Sequence, residues 1–491
     1  MCVLCSMLTG NAGMAKIAHD ATGRSSKGAE KNKPIEMVIF PADAKRKNIP
    51  LEAPTVAGTI QDLADYLRVG FAEDFRSSAG KCDMSSRYDR ITYYTTGTNN
   101  IYDSDGLSAP RANLAQKAFE YYEKIYGFTF VEDTSGSADI SFSDSDPEGG
   151  AFSWHQIQGG YLQPGQINVD SGWMNGESEL NGYTYTTMIH EIGHSLGLGH
   201  LGNYNAAPGV FNYWPSAKWA NDSKLISAMS YIQLSQNPNV NENYRDRNNL
   251  VMGSADILAL DDIYNSDGFS SANAFNGDTV YGNNTTITED ENIHLSRMAD
   301  GAYDYINNYN FTIADGSGVD TFDFSDFSAD QFIDLRQSAQ ADSQATTFFS
   351  SSVGTELWEN LFIAPGTVIE NAIGGSGADL LTGNAASNVL DGGAGIDTMA
   401  GGAGAVGVSA AEGPESDGLE ELESLSLDML DEPPDASAPP ASTMIDSPAP
   451  APTAEPAHSG TTDHEPDDLE ALSLDMLDEP TEEVIPPEPE P

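Results

Sequence analysis

The segment HEIGHSLGLGH at residues 190–200 constrains the fold of this chain more than any other. His190 and His194 stand at positions i and i+4, so a helix places both imidazoles on one face. Gly197 lets the backbone leave that helix in a conformation that a bulkier residue resists. His200 can then return to the same point. The segment therefore predicts a helix that ends beside a cluster of three imidazoles.

Three neutral histidines are a typical zinc ligand set that leaves one position open for water. A bound zinc ion lowers the pKa of that water and polarises a carbonyl group, and an adjacent carboxylate can act as the general base. The alternative, ordinary histidines on an amphipathic helix, requires the glycine and the third histidine to coincide by chance. We therefore expect one catalytic zinc ion on His190, His194 and His200, with Glu191 as the base in peptide-bond hydrolysis.

Residues 56–268 have the periodicity of an α+β domain. Ile60, Leu63 and Leu67 recur at helical spacing and predict its first helix. The remaining predicted elements are strands at 90–94, 128–131, 138–142 and 166–169 and helices at 111–125, 183–198 and 255–263. Together they predict a mixed sheet with helices packed across it, and the long helix of the histidines belongs to this domain.

Residues 269–404 lose helical periodicity and are rich in Asn, Asp, Gly and Thr, which predicts an all-β domain. A nine-residue repeat appears near its end, within 374–404. Its copies are GGSGADLLT at 374–382, GNAASNVLD at 383–391 and GGAGIDTMA at 392–400. A fourth copy starts at Gly401 and carries Val406 where an aspartate is expected. Repeats of this form build a parallel β-roll in which two copies complete one coil.

In such repeats the glycine turn and the aspartate face a cation, and the apolar residue points into the roll. Asp379 and Asp397 lie 18 residues apart, so their turns stack on one side of the roll with calcium between them. The glycines whose carbonyl groups would complete the site are Gly375, Gly377, Gly393 and Gly395. A flexible glycine-rich linker is the alternative, but a linker would not keep the aspartate in register. We expect one or more structural calcium ions.

The two ends of the chain differ from these domains in composition. Residues 1–55 predict a flexible basic leader and a candidate propeptide, and residues 405–491 predict a disordered, acidic, proline-rich tail. The tail contains the segment LSLDMLDEP at 425–433 and again at 472–480, which suits a spacer or a short partner-binding helix.

Three cysteines, Cys2, Cys5 and Cys82, cannot supply a disulfide framework for so long a chain.

The charge balance excludes several partners. Lys and Arg number 22 against 75 Asp and Glu, which gives a formal net charge of -53. Nucleic acids and anionic lipids are polyanions whose binding depends on cationic side chains, so neither is an expected partner. No stretch of about 18 apolar residues is present to span a bilayer.

The segment at residues 190–200 matches the signature of the metzincin clan of zinc metalloproteases, and SAMSY at residues 227–231 resembles the methionine turn of that clan. The Ser-x-Met-Ser-Tyr form of this turn and the downstream glycine repeats resemble the serralysins, the secreted bacterial branch of peptidase family M10. The resemblance implies that Met229 forms the floor beneath the zinc ion. It also implies that Tyr231 is an extra zinc ligand that swings away to stabilise the oxyanion.

A serralysin-like protein is expected to be a monomer, secreted into the extracellular space by a type I-like machinery and active on protein or peptide substrates. The acidic tail stands where serralysins carry further repeats and an export signal. A calcium-dependent surface or adhesion protein with a silent protease-like domain is the alternative. Glu191 discriminates between the two, because a silent descendant has little reason to keep the base and all three ligands.

Overall fold

A six-stranded mixed sheet forms the framework of the part of the chain that precedes the histidines. Its strands are β1 Glu36–Val38, β2 Ile91–Tyr94, β3 Phe130–Glu132, β4 Ile140–Ser143, β5 Ala151–Gln158 and β6 Tyr161–Val169. The strand order is β1-β5-β6-β4-β2-β3. β5 is antiparallel to both of its neighbours, and the other pairs are parallel. The predicted mixed sheet is therefore confirmed.

The computed structural model describes residues 36–38, 54–75, 90–97, 103–147, 149–158, 161–205, 212–239, 246–339, 348–355, 359–404 and 406–409. Most of the predicted leader and tail, the duplicated LSLDMLDEP segments and all three cysteines lie outside these residues. In the part of the chain described, no helix has the length and apolar character needed to cross a membrane.

Helices cover the sheet and carry the histidines. They are α1 Ile60–Asp65, α2 Phe71–Phe75, α3 Ala109–Tyr126, α4 Tyr183–Ser195 and α5 Ser254–Tyr264. A π-helical turn, Tyr66–Gly70, joins α1 to α2. α3 ends at Gly127, whose φ of 78° needs the conformational freedom of glycine. The predicted helices are confirmed to within a few residues at each end.

Strand β5 has no counterpart among the predicted strands, and β6 is longer than the predicted strand at residues 166–169. Burial alternates along the first part of β5, as it does in a half-buried strand. However, the inward positions are occupied by Ala151, Ser153 and His155, whereas Phe152 and Trp154 are only partly buried. A pattern search based on large apolar residues therefore does not detect this strand.

Short parallel strands, one of them in the segment before α5 and the rest in the second half of the described chain, form the remaining sheets. They are β7 Asn248–Asn249, β8 Val280–Gly282, β9 Tyr309–Ile313, β10 Thr321–Asp323, β11 Phe332–Asp334, β12 Leu361–Ile363, β13 Asn371–Ile373, β14 Leu380–Thr382, β15 Asn388–Asp391, β16 Thr398–Ala400 and β17 Val406–Ser409. Three sheets result, with the orders β17-β15-β13-β10-β8, β11-β14-β16 and β12-β9-β7.

The nine-residue repeats place consecutive strands alternately in two of these sheets. Leu380 is paired with Thr398 in one sheet, and Asn388 is paired with Val406 in the other, so partners lie two repeats apart. Leu381 and Leu390 are fully buried between the sheets, as expected. β17 also shows that the fourth copy still forms a strand, beyond the domain end predicted at residue 404.

Two short helices correct the prediction that this half is all-β. They are α6 Glu289–Ser296 and α7 Tyr305–Asn308. The hydroxyl of Thr288 accepts a hydrogen bond from the backbone N–H of Glu291, and the Glu291 carboxylate accepts one from the backbone N–H of Thr288. This reciprocal capping box is a local signal for a helix start in a segment where hydrophobic periodicity is weak.

The two halves share a continuous hydrophobic core, although the predicted domain boundary lies at residue 268. β7, which precedes α5, pairs with β9, which follows it. The imidazole of His294 in α6 lies 4.2 Å, centroid to centroid, from the ring of Tyr185 in the histidine-bearing helix α4. All described residues belong to one compact unit that extends to Asp417. The second half therefore supports the helix that carries the histidines.

His294 makes the stability of this junction depend on pH. Burial lowers the pKa of His294 to about 4, despite the hydrogen bond that its Nε2 donates to the carbonyl of Leu180. An unfolded chain takes up this proton near pH 6.5, whereas the folded chain does so only near pH 4. We therefore expect His294 to remove up to about 3 kcal/mol of unfolding free energy as the pH falls through this window.

Denaturant unfolding at pH 7.5 and pH 4.5, with calcium present, measures this effect. His294→Gln keeps an amide donor for Leu180 but does not titrate, so its loss of stability between the two pH values should be smaller than that of the unchanged chain. Equal losses for the two chains would contradict the assignment.

Candidate metal centre

Helix α4 positions the first two predicted ligands. His190 and His194 lie one turn apart on it, and both are buried. The helix ends at Ser195, and Gly197 then adopts a φ of 109°, which glycine tolerates far better than other residues. The N–H groups of Gly197 and Leu198 donate to the carbonyl groups of His194 and Gly193 and close the end of the helix. The chain then turns back and brings His200 to the same point.

The three imidazoles converge as expected. One ring nitrogen from each of His190, His194 and His200 lies within 4.8 Å of the others, and no other group of three or more His, Cys, Asp or Glu residues in the described chain meets this criterion. Nε2 of His194 lies 3.1 Å from Nε2 of His200. Nε2 of His190 is buried and receives no hydrogen bond.

Backbone carbonyl groups fix the tautomer of each imidazole. Nδ1 of His190 lies 2.9 Å from the carbonyl oxygen of Ala228, Nδ1 of His194 lies 2.8 Å from that of Leu198, and Nδ1 of His200 lies 3.0 Å from that of Tyr204. A carbonyl group only accepts, so each Nδ1 carries the proton and donates. Each neutral ring then presents the lone pair of Nε2 to the centre, which is the arrangement that a metal ion requires.

Burial keeps the rings of His190 and His200 neutral. It lowers the pKa of His190 to about 4, and it lowers the pKa of His200 well below its usual value, with further lowering by His194 and His190. Two neutral Nε2 lone pairs facing each other at 3.1 Å repel unless a cation lies between them. A donor set of three buried neutral imidazoles fits zinc in a site with an open position.

Glu191 and Tyr231 lie at the mouth of the same centre. Both residues line a cavity of about 410 Å³ together with His190. Glu191 is 1% exposed, and it lines this cavity. The ring of Tyr231 lies 4.4 Å from that of His200 and 5.8 Å from that of His190, centroid to centroid. The structure therefore brings together the predicted base, the predicted oxyanion donor and the ligands.

Met229 lies directly beneath the histidine-bearing helix and is fully buried. A Cβ atom added to Gly193 in α4 would lie 2.9 Å from the sulfur of Met229 and 3.2 Å from the terminal methyl group of Met252. A larger residue at this position would therefore push the ends of these methionine side chains away from the helix. Gly193 therefore has a packing role that the spacing of the histidines did not predict.

Two buried carboxylates hold the turn at residues 227–231, and neither was predicted. Asp256 in α5 accepts hydrogen bonds from Ser227 Oγ at 2.6 Å, from the N–H of Ala228 at 2.6 Å and from the N–H of Gly253 at 2.9 Å. Since the carbonyl of Ala228 holds His190, Asp256 acts on the metal centre through this turn. Burial raises the pKa of Asp256 to about 7, against the effect of these hydrogen bonds.

Asp222 supports the other end of the same turn. Its carboxylate accepts from Ser230 Oγ at 2.7 Å and from the hydroxyl of Tyr204 at 3.0 Å. The carbonyl of Tyr204 in turn accepts from His200, so this network reaches the third histidine. Neither Asp222 nor Asp256 is part of a recognisable motif. A single sequence therefore does not indicate these long-range contacts.

The predicted calcium residues also come together, at the turns between strands. The N–H of Asp379 donates to Asp397 Oδ1 at 2.9 Å, which places the two repeats side by side. The N–H of Gly375 donates to Asp379 Oδ2 at 2.7 Å. A Cβ atom on Gly395 would lie 1.9 Å from the carbonyl oxygen of Gly377. A Cβ atom on Gly393 would lie 2.1 Å from the carbonyl oxygen of Gly375. The stacked turns thus require glycine.

A second carboxylate pair, Asp315 and Asp320, lies outside the nine-residue repeats. Both side chains are buried, and Oδ2 of Asp320 receives no hydrogen bond. Asp315 accepts from the hydroxyl of Tyr281 at 2.6 Å. Burial, and then the charge of Asp320, raises the pKa of Asp315; burial, and then the charge of Glu370, raises that of Asp320. The pair offers oxygen ligands where a cation would offset buried negative charge.

Family models match both halves of the chain. Residues 87–207 match the model described as Matrixin, and residues 271–413 match the model described as Peptidase M10 serralysin C terminal. The first match covers the three histidines, and the second covers the nine-residue repeats.

Curated relatives agree with these matches. The chain is 32% identical to the metallopeptidase AprA of Pseudomonas marginalis, over 66% of this chain and 65% of the relative. It is 33% identical to the metalloprotease AprA of Pseudomonas entomophila, over 67% and 64%. It is 30% identical to the serralysin of Photorhabdus laumondii, over 73% and 70%. The chain thus spans just under two thirds of the length of the two AprA relatives.

Proposed function

Because the chain belongs to the serralysin-type M10 metalloproteases, we propose that it is a zinc-dependent endopeptidase that hydrolyses peptide bonds in protein substrates. The observation that carries the proposal is the arrangement of three buried imidazoles whose Nδ1 atoms all donate to backbone carbonyl groups. This arrangement leaves each Nε2 available as a metal ligand. The carboxylic acid of Glu191 and the phenol of Tyr231 line one cavity beside these ligands.

Each residue of the centre then has a defined role. His190, His194 and His200 would hold zinc, which when bound supplies a Lewis acid and lowers the pKa of a coordinated water. Glu191 takes a proton from the attacking water and transfers it to the leaving amine. The hydroxyl of Tyr231 donates to the oxyanion that develops on the scissile carbonyl group, and it would be an extra ligand of the metal before substrate binds. Met229 forms the floor below the histidines.

Metal content and casein hydrolysis test the proposal together. The purified chain, in excess calcium, should contain one zinc ion per chain and should degrade casein. A zinc-selective chelator such as phenanthroline should abolish the hydrolysis, and added zinc should restore it. Casein hydrolysis that persists after the zinc has been removed would refute the assignment of His190, His194 and His200.

We assign a structural role to calcium in the second half, which would be a parallel β-roll. The support comes from the stacked glycine turns around Asp379 and Asp397 and from the buried pair Asp315 and Asp320. The carbonyl groups of Gly375, Gly377, Gly393 and Gly395 would complete the first site. Because the second half packs against α4 through His294, calcium would also stabilise the zinc centre.

Thermal unfolding at a series of calcium concentrations tests this role. Asp379→Asn should raise the calcium concentration needed for half-maximal protection about tenfold or more, since it removes a charged ligand. Asp267→Asn changes an exposed carboxylate outside the repeats and should leave that concentration unchanged. Equal midpoints for Asp379→Asn and the unchanged chain would exclude Asp379 as a calcium ligand.

We also propose that the enzyme acts outside a bacterial cell. The support is the excess of acidic over basic residues, the calcium ligands and the likeness to serralysins. The proposal also includes secretion by a type I-like machinery and a monomeric state of the enzyme. The adhesion alternative is less well supported, because the three histidines converge and the cavity beside them is lined by His190, the base Glu191 and Tyr231.

A further inference from the structure

Lys224 provides a positive charge in the wall of the cavity beside Glu191. Its Nζ lies 3.2 Å from Oδ1 of Asn248 and 5.2 Å from the centroid of the Tyr183 ring, and both of these residues also line the cavity. The ammonium group is therefore at the cavity surface. Among the described residues that line the cavity, Lys224 is the one lysine or arginine.

Hydrogen bonds hold both the N–H and the carbonyl group of Lys224. The point at which its side chain leaves the backbone is therefore fixed. The N–H of Lys224 donates to the carbonyl of Ile232 at 2.9 Å, and the carbonyl of Lys224 accepts from Nδ2 of Asn249 at 2.6 Å. Ile232 directly follows Tyr231, so this contact ties the lysine to the turn of the metal centre. A substrate side chain that enters the cavity meets a preorganised cation.

The ammonium group of Lys224 has no counter-ion in direct contact in the described part of the chain, although the charge of Asp246 acts on it from a greater distance. No carboxylate oxygen lies within ion-pair distance of its Nζ in that part, and its hydrogen bond goes to a neutral amide. Burial lowers the pKa of Lys224 to about 8, so the group is still mostly protonated at neutral pH. A partly buried charge without a counter-ion in direct contact is costly, and a substrate carboxylate would offset that cost.

We propose that Lys224 selects substrates with a glutamate or aspartate next to the scissile bond, whose carboxylate pairs with its ammonium group in the cavity. The cavity opens onto Glu191 and His190, so its occupant is a residue adjacent to the bond that is cut. The side-chain amide of Asn248, whose Oδ1 accepts from the ammonium group, also lines the cavity and can donate from its Nδ2 to the second carboxylate oxygen. The inference rests on the proposed peptidase function and names its substrate class.

Cleavage of paired peptides tests the proposal. A library randomised on both sides of the cleavage point identifies cut sites, and matched peptides with Glu or Gln at the flanking position then give kcat/KM ratios. We expect the unchanged chain to favour Glu about tenfold, and Lys224→Met to abolish that preference. Lys224→Glu should invert the preference towards Lys and Arg. High salt should reduce the Glu preference of the unchanged chain.

Lys218→Met is the matched control, because Lys218 also lies over a tyrosine ring, that of Tyr66, at 5.5 Å but does not line the cavity. It should leave the Glu-to-Gln ratio unaltered. A ratio near one in the unchanged chain, or the same ratio in Lys224→Met, would overturn the proposal. Apolar residues enriched at the flanking position would show that the lysine stem, and not its charge, lines the site.

Binding measurements separate this proposal from the peptidase function. Zinc-loaded Glu191→Gln should bind the Glu peptide more tightly than the Gln peptide even though it does not cut either. If the unchanged chain cut no peptide while this binding preference was present, the peptidase function would fail and the role of Lys224 would stand. If neither peptide bound preferentially, the role of Lys224 would fail by itself.

Discussion

Glu191→Gln will lower kcat/KM for casein or a peptide substrate by about 10³- to 10⁴-fold, the upper range expected for loss of a general base, and will leave zinc binding intact. Glutamine has the same shape as glutamate but cannot accept a proton. Glu191 is 1% exposed and lines the cavity, so the substitution acts where the attacking water must be deprotonated. Hydrolysis of an internally quenched fluorescent peptide measures kcat/KM, and zinc analysis of each preparation measures the metal content.

Glu179→Gln is the matched control for this prediction. Glu179 precedes helix α4, is exposed and does not line the cavity, so the same chemical change should leave kcat/KM unaltered. A Glu191→Gln enzyme with full zinc content and a rate within about tenfold of the unchanged chain would contradict the role of Glu191 as base. Loss of zinc from that variant would instead point to a structural role.

The metal ligands could be predicted because their geometry is local. The helical repeat places His190 and His194 on one face, and the positive φ of Gly197 reverses the chain within a few residues. The reversal that returns His200 to the other two ligands is local, and the distant contacts, such as that of the Gly199 N–H with the carbonyl of Leu67, hold it in place. The sequence therefore contains nearly the whole ligand set in one segment.

The supports of the ligands could not be predicted, because they come from distant segments. Asp256 reaches the turn at residues 227–231 from α5, and Tyr122 in α3 donates to the carbonyl of Ile189 at 2.8 Å. Lys224 has no motif around it, and its place in the cavity depends on how β7 packs. Such contacts depend on tertiary packing, which periodicity does not encode.

The repeats show a similar division between local and tertiary information. Strand pairing two repeats apart follows directly from the nine-residue period, and the pairing of Leu380 with Thr398 agrees with it. The absence of an aspartate at Val406 did not end the structure, because backbone hydrogen bonding to β15 does not require that side chain. In contrast, α6 depends on its capping box at Thr288 and on packing of His294, not on an apolar stripe.

Asp256→Ala is expected to lower the free energy of unfolding by about 3 kcal/mol or more and to weaken zinc binding as well. The substitution leaves the hydroxyl of Ser227 and the N–H groups of Ala228 and Gly253 without their buried acceptor. The carbonyl of Ala228, which accepts from Nδ1 of His190, is then no longer held in place. Loss of such a support for a metal ligand typically reduces affinity about 10- to 100-fold.

Asp262→Ala, on the same helix, is the control. It distinguishes the loss of a buried, hydrogen-bonded carboxylate from the loss of a negative charge alone. Asp262 is exposed, accepts from Gln61 at 2.7 Å and lies 3.4 Å from Arg68, so its removal should cost less than about 1 kcal/mol and should not alter zinc affinity. Unfolding in denaturant and competition for zinc with a chelator of known affinity measure the two effects. If Asp256→Ala unfolded more easily but bound zinc as tightly as Asp262→Ala, the turn would stabilise the fold without orienting His190.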